Sequence, residues 1–339
     1  MIDLLVAGGG PVGLAAAVHA ALAGLETVVI EPRPGPVDKA CGEGIMPGGV
    51  TSLRHLGVDP PGRDLRGIRY VDGRRSAETA FRGAAGRGVR RTVLHAALAG
   101  RAAGLGVRTV AEAVREVRQG PGWVEAAGRR ARWMIAADGL HSPVRRALGL
   151  GLPARGGTRR YGLRRHYAVA PWTDFVEVHW SGLGEAYVTP VADDLVGVAV
   201  LSPVRCDYAT HLARFPRLAA ALRGARPATG VRGAGPMRQR VRGRVAGRVL
   251  LAGDAAGYVD ALTGEGIALG LASADAAVRC VTAGRPQDYE AAWRRLSLRH
   301  RIMTGALVRA GGRAGTARLI VPAAAGLPAL FGAAVHALQ

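Results

Sequence analysis

Ala7 is followed by Gly8-x-Gly10-x-x-Gly13, and the flanking residues give that glycine pattern a definite place in a fold. Before it lies Ile2–Ala7, a continuous apolar run of the kind buried as a parallel strand. After it, Val12–Ala23 is Ala-rich and helix-competent, with Gly24 as its C-cap. Thr27–Ile30 is a second β-branched run, closed by Glu31 and followed by Pro32 and Arg33. Strand, glycine turn, helix and strand in about thirty residues make a βαβ unit. In such a unit Gly8 permits the tight turn, Gly10 lets the backbone approach a pyrophosphate, and Gly13 lets the helix pack closely on the sheet. Pro11 and Val12 open the helix, whose N-terminus stabilises phosphate charge. Glu31 stands where a carboxylate accepts hydrogen bonds from a ribose. The unit predicts a bound dinucleotide without separating NAD from FAD.

With 339 residues, 49% of them hydrophobic, the chain can build one large domain or two that share a core. Its formal charge of +21 would ordinarily raise nucleic acid as a partner. Nearly all of that charge is Arg, with Lys39 the single Lys; the Arg residues are scattered, and aromatics are only 5%. Nucleic acid is therefore not expected, whereas an anionic ligand such as a dinucleotide, or an anionic membrane surface, suits the field. Cys41, Cys206 and Cys280 are too few and too dispersed for a disulfide framework or a zinc site, so no metal is expected. The apolar N-terminus runs straight into the glycine turn and reads as a strand rather than a signal peptide, and the expected location is the cytoplasm.

Further on, Pro32–Gly49 reads as a long irregular connection. Ile68–Val71 and Ala77–Phe81 flank Asp72-Gly73 as a hairpin, and Thr92–Ala103 reads as a helix. Val107–Val110, Val114–Val117 and Val124–Ala126 read as short strands, and Trp133–Ala137 as a buried strand leading into Asp138-Gly139. From about Gly151 to Arg240 the pattern changes: Val176, Val178 and Trp180 alternate with Glu177 and His179, and Tyr187–Val191 and Leu195–Leu201 continue as strands. Arg248–Ala252 returns to a buried apolar strand, followed by Gly253-Asp254 and a helix from about Gly264 to Val281. The stretch Leu319–Leu338 carries no formal charge, but Pro322, Gly326, Pro328 and Gly332 argue against a membrane span. Within it Leu327, Leu330, Phe331, Val335 and Leu338 share a helical face. That face predicts a helix packed on the domain; the alternative is an interfacial anchor or lid that makes peripheral membrane contact.

Two later segments refine the dinucleotide. Ala137-Asp138-Gly139-Leu140-His141-Ser142-Pro143-Val144-Arg145 resembles the "DG" motif of the FAD-dependent monooxygenase superfamily with the para-hydroxybenzoate hydroxylase fold, and Leu251-Ala252-Gly253-Asp254-Ala255-Ala256-Gly257 resembles its "GD" motif. The resemblance implies an α/β fold: a discontinuous Rossmann-type FAD-binding domain (1–65, 90–150 and 245–300), an inserted antiparallel β-sheet substrate domain (66–89 and 151–244) and a C-terminal helical segment (301–339). It implies FAD as cofactor, with Gly253 and Asp254 at the ribityl chain, Gly264, Gly266 and Ile267 at the flavin pyrimidine, Arg91 on the flavin side of the cleft, and Asp138 and Gly139 fixing local backbone.

Lys39-Ala40-Cys41-Gly42-Glu43-Gly44-Ile45 and Thr263-Gly264-Glu265-Gly266-Ile267 are similar to segments of the geranylgeranyl-reductase-like branch. The Tyr-x-Trp-x-Phe-Pro substrate motif of that branch survives only as Tyr187-Val188-Thr189-Pro190, and the Trp-x-Trp-x-Ile-Pro motif of flavin-dependent halogenases is absent. Cys41 is read as a cavity-lining residue with proton donation or plain packing as alternatives, and His166, His179 and Tyr187 as candidates for orienting a phenol or acting as a base. No second glycine fingerprint exists, so NADPH or NADH as reductant would bind without its own Rossmann unit. The resemblance implies a monooxygenase that hydroxylates a hydrophobic aromatic or polyketide-like substrate in secondary metabolism; the alternative is an FAD-dependent alkene reductase acting on an isoprenoid chain.

Overall fold

Leu4, Leu5 and Val6 expose no surface at all, which places the strand Ile2–Ala7 at the centre of a sheet covered on both faces. The computed structural model describes residues 1–153 and 159–337. Across this first sheet the strands run Val245–Ala246, Val249–Leu251, Arg129–Ala136, Ile2–Ala7, Thr27–Ile30, Arg108–Val110. Every pairing from Val249–Leu251 to Arg108–Val110 is parallel. The carboxyl ends Ala7, Ile30, Ala136 and Leu251 therefore emerge along one edge, where open α/β sheets form their binding crevice.

The helix Pro11–Leu22 starts with Pro at its first turn, where no amide hydrogen is needed, and buries Leu14 through Val18 against the sheet. Its small residues bring neighbours close. A Cβ on Gly270, in the helix Gly266–Thr282, would stand 2.5 Å from the Val12 side chain.

The second sheet runs Arg226–Pro227, Tyr161–Ala168, Leu195–Ser202, Gly184–Ala192, Phe175–Ser181, Gly67–Val71, Ser76–Ala80. Its pairings are antiparallel except that of Gly67–Val71 with Phe175–Ser181, so a hairpin from early in the chain completes a sheet built mostly after residue 160. The fold is thus an α/β Rossmann-type unit carrying a mainly antiparallel sheet and C-terminal helices.

Some expected elements differ. Inside the expected loop Pro32–Gly49, Gly44–Ile45 forms a short strand and Pro47 opens a helix to His55, the ring fixing φ for its first turn. Val114–Val117 is not a strand. Pro121-Gly122, with Gly122 at φ +83, makes a two-residue turn that pairs Arg118–Gly120 with Trp123–Ala126, leaving Val114 free to border the cavity described below.

The C-terminus folds back over the second sheet. After the long helix Asp288–Gly311 come Ile320–Gly326 and Pro328–His336. The Phe331 ring packs 4.8 Å from Tyr70, and His336 Nε2 lies 3.0 Å from the Ala80 carbonyl oxygen. The expected apolar face divides: Phe331 and Val335 are buried, Leu327 and Leu330 are 56% and 65% exposed, and Leu338 lies outside the described residues. Among the described residues no single helix is long and apolar enough to cross a membrane.

Candidate active site

A cavity of about 1350 Å³ begins at the carboxyl edge of the first sheet, passes beneath the second and reaches the C-terminal helices. At its first end Gly8 turns with φ +97, and a Cβ there would stand 2.6 Å from the Ala137 carbonyl oxygen. Gly13 meets Gly8 still more closely, since its Cβ would lie 1.8 Å from Gly8 O; it packs the helix on the turn and does not border the cavity. Gly10 differs, because its Cβ would find nothing nearer than Arg91 Nη2 at 3.5 Å, leaving open space over the helix N-terminus. Pro11 and Val12 border the same space.

Glu31 is buried, with Oε2 accepting from Gly9 N at 2.9 Å and both oxygens gripped by the Arg33 guanidinium at 2.7 and 2.8 Å. Burial alone would raise this carboxyl, but the Arg33 and Gly9 hydrogen bonds outweigh it and hold Glu31 below its ordinary value. Pro32 and Arg33 follow it along the rim. Lys39 joins Arg33 and Arg91 there, and burial followed by those two cations lowers its affinity for a proton. The rim thus concentrates positive charge beside the glycine turn, a setting for phosphate oxygens.

The next strand ends at Ala136, and Asp138 Oδ2 accepts from Val144 N at 3.0 Å, holding the turn before the short helix Pro143–Ala147. Its other oxygen, Oδ1, is buried without a partner, and burial raises the carboxyl despite the Ser142 and Val144 bonds. Gly139 borders the cavity beside it. Arg145 then crosses to the third segment, donating to Leu140 O at 2.8 Å, Gln239 Oε1 at 3.0 Å and Ala255 O at 3.2 Å. Sequence reasoning quoted Arg145 within a motif but gave it no role. With Asp138, His141, Ser142 and Arg146 close by, nothing in its local sequence singles this cation out.

Gly253, with φ +58, donates its N–H to Ser273 Oγ at 3.1 Å and turns Asp254 toward the cavity. Burial raises Asp254, opposed by Arg91, Lys39 and Arg145. Gly264, with φ +71, leads into the helix that starts at Gly266, so Gly264, Gly266 and Ile267 present a helix N-terminus to the cavity. Cys41 and Gly42 border it from the opposite loop, and Thr189 Oγ1 donates to Gly42 O at 2.7 Å. Burial pushes the Cys41 thiol up from its ordinary value.

Tyr187 borders the cavity, but its hydroxyl donates to Leu262 O at 2.8 Å and burial raises it well above the ordinary phenol value. It is a wall, not a free base. His179 is not brought to the cavity. Strand alternation aims Val176, Val178 and Trp180 into the apolar cluster at the cavity and turns His179 to the other face, where its Nε2 lies 3.1 Å from Glu177 Oε2. His166 does not border the open space either, but it lies directly behind the wall, against the cavity-lining Glu43 and Arg164.

These residues fit FAD. The open space over Gly10, the cationic rim, the partnerless Asp138 Oδ1 and the helix N-terminus at Gly266 follow one another along the crevice. The sequence model for the FAD binding domain family matches residues 1–66. Digeranylgeranylglycerophospholipid reductase 1 of Methanothermobacter thermautotrophicus is 32% identical over 327 residues, covering 85% of this chain and 81% of that protein. The chain belongs to the geranylgeranyl-reductase-like branch of the FAD-dependent oxidoreductases. The menaquinone reductase of Mycolicibacterium smegmatis is 30% identical over 335 residues, covering 88% of this chain and 80% of that protein. Among solved structures, a geranylgeranyl bacteriochlorophyll reductase-like protein from Thermoplasma acidophilum shares the fold at 22% identity and TM-score 0.76, covering 95% of this chain and 90% of that one. A flavin-dependent brominase shares it at 16% identity and TM-score 0.84, covering 99% and 93%. Of the flavin-dependent halogenase CmlS, alike at 20% identity and TM-score 0.77, this chain covers 62% of the length while 90% of this chain is matched. As a member of the branch, this oxidoreductase uses FAD.

Proposed function

We propose that this geranylgeranyl-reductase-like oxidoreductase saturates carbon–carbon double bonds in the isoprenoid chain of a lipid or quinone. The observation that carries the reading is the shape of the cavity. Polar and charged groups gather at the glycine turn, while the far end is walled by Ile68, Val176, Leu201, Leu307, Ile320 and Phe331. A long apolar chain suits that wall, and its burial supplies binding energy of about 25 cal/mol per Å². Relatives with reductase names over most of their length support the same reading.

Bound FAD supplies the two-electron reduction, with NADPH or NADH as the proposed source of electrons. The protein supplies the rest. Cys41 borders the cavity with its thiol protonated, and it would give that proton to an alkene carbon as a hydride reaches the other carbon; because burial opposes the thiolate, it would at once be reprotonated from water. The apolar wall holds the chain straight and excludes water. Hydroxylation of an aromatic ring gains little from this site, since Tyr187 commits its hydroxyl to Leu262 O and His179 lies behind the sheet.

The proposed entrance is the C-terminal pair of helices. Leu327 and Leu330 border the cavity and are mostly exposed. Beyond Glu290 the chain carries Arg294, Arg295, Arg299, Arg301, Arg309, Arg313 and Arg318 and no Asp or Glu. Exposed apolar tips in a C-terminal region whose charge is all basic suit peripheral contact with an anionic lipid surface, from which the chain would be drawn. The deciding experiment is anaerobic incubation of the reduced holoenzyme with a geranylgeranyl lipid, followed by mass spectrometry. Addition of two hydrogen atoms per double bond supports reduction. No change anaerobically, with gain of one oxygen atom on an aromatic substrate in air, overturns it.

A further inference from the structure

The two Gly-Glu-Gly-Ile segments, Gly42–Ile45 and Gly264–Ile267, both contribute to the wall of the cavity. Each glutamate meets a histidine from a distant element. Glu43 Oε2 lies 2.5 Å from His166 Nε2 on the strand Tyr161–Ala168. Glu265 Oε2 lies 2.8 Å from His300 Nδ1 on the helix Asp288–Gly311, which also carries Leu307 to the apolar wall.

The first pair is fixed in sense. Arg164 Nη1 stands 3.1 Å from His166 Nδ1, and a guanidinium only donates. Nδ1 therefore accepts, and Nε2 carries the hydrogen given to Glu43. The other Glu43 oxygen accepts from Arg91 N at 2.8 Å, so this carboxylate answers two donors. Glu43 and His166 are 2% and 0% exposed. The Glu43 backbone has φ +61, a left-handed conformation that a non-glycine residue keeps only where its surroundings over-determine it. Across the pair, a Cβ on Gly197 would lie 3.1 Å from Glu43 Oε2, so glycine there leaves the carboxylate its room. Glu43 N in turn points to Cys41 Sγ at 3.4 Å.

We infer that Glu43 and Glu265 are positioning residues: each fixes one flavin-facing turn against the element that bounds the substrate channel, Glu43 through His166 and Glu265 through His300. Cys41 and Arg91 take their places from the first clasp, and the helix N-terminus at Gly266 from the second. The inference rests on FAD in the crevice and not on which substrate is reduced, so it stands or falls separately from the reductase reading.

The test uses the full chain, FAD-loaded and FAD-stripped. Glu43→Gln leaves one acceptor for two donors. Alkylation of Cys41 by iodoacetamide, read on its own peptide by mass spectrometry, is expected to change about tenfold, with Cys280 as the unmoved internal control. The visible FAD band should shift, and Glu43→Asp should restore part of both effects. Glu265→Ala should shift the FAD band while leaving Cys41 alkylation in the stripped protein unchanged. A Glu43→Gln protein whose Cys41 rate stays within about twofold and whose flavin band is unmoved overturns the inference. If Glu43→Gln does not fold, His166→Asn is read in the same way, and failure of both to fold assigns the pair a purely structural role and overturns it as well.

Discussion

Arg145 donates to the Ala255 carbonyl oxygen at 3.2 Å, joining the turn after Ala136 to the turn after Leu251. The two strand ends are neighbours in the sheet, but only a long, planar donor fork spans the gap between their turns and satisfies carbonyl groups on both. Replacing it leaves buried acceptors without a donor. Arg145→Met is expected to lower stability by about 2 kcal/mol, read from urea unfolding, and to weaken FAD binding in a fluorescence titration.

Gly10 and Gly13 belong to the same turn and should behave oppositely. Gly13→Ala drives a methyl to 1.8 Å from Gly8 O, a backbone atom that cannot yield, and is expected to cost more than about 4 kcal/mol or to abolish soluble expression. Gly10 has φ −74 and free space beyond its Cα. Gly10→Ala should leave unfolding within about 0.5 kcal/mol of the parent while FAD affinity falls about tenfold or more, because the methyl stands where phosphate approaches.

Glu185 gives the protein a distinctive pH response. It is fully buried beside Arg160 and Asp260, and burial, outweighing the pull of Arg160, raises it from 4.5 to about 7. The folded chain therefore holds a proton in that window that the unfolded chain has released. Stability is lost as pH rises from 4.5 through about 7, by up to about 3 kcal/mol. Glu185→Gln should flatten this dependence. Melting temperatures of both proteins across the window provide the comparison, and parallel curves would rule the carboxyl out as the source.

Charge reversal at the proposed lipid face should weaken vesicle binding without harming the fold. Each basic residue near an anionic surface contributes about 1 kcal/mol, so Arg313→Glu is expected to lower affinity for phosphatidylserine-containing vesicles at least about tenfold. Leu330→Asp should act similarly, because Leu330 is 65% exposed and borders the cavity mouth. Sedimentation with vesicles of neutral and anionic composition separates the two contributions.

The crevice was legible because its residues encode backbone geometry: Gly8 and Gly13 are required by contacts of under 3 Å, and such requirements appear in sequence as fixed spacing. His179 was misplaced although the evidence lay beside it, in the alternation of Val176, Val178 and Trp180 that turns it to the opposite face. Arg145 was passed over because a guanidinium ordinarily reads as solvated, and only the folded chain reveals four carbonyl or amide oxygens around it. The Glu43–His166 contact joins residues 123 positions apart through packing of a loop on the second sheet, which no local periodicity records.

Because Gly67–Val71 pairs in parallel with Phe175–Ser181, and Phe331 rests on Tyr70, the roof over the flavin is assembled from three separate stretches of chain. Chimeras that exchange only the stretch after residue 160 with a relative would inherit a mismatched border strand. Grafts that seek to redirect substrate preference must carry the 67–80 hairpin and the terminal helices as a set, and natural divergence in this branch faces the same bookkeeping of co-varying parts.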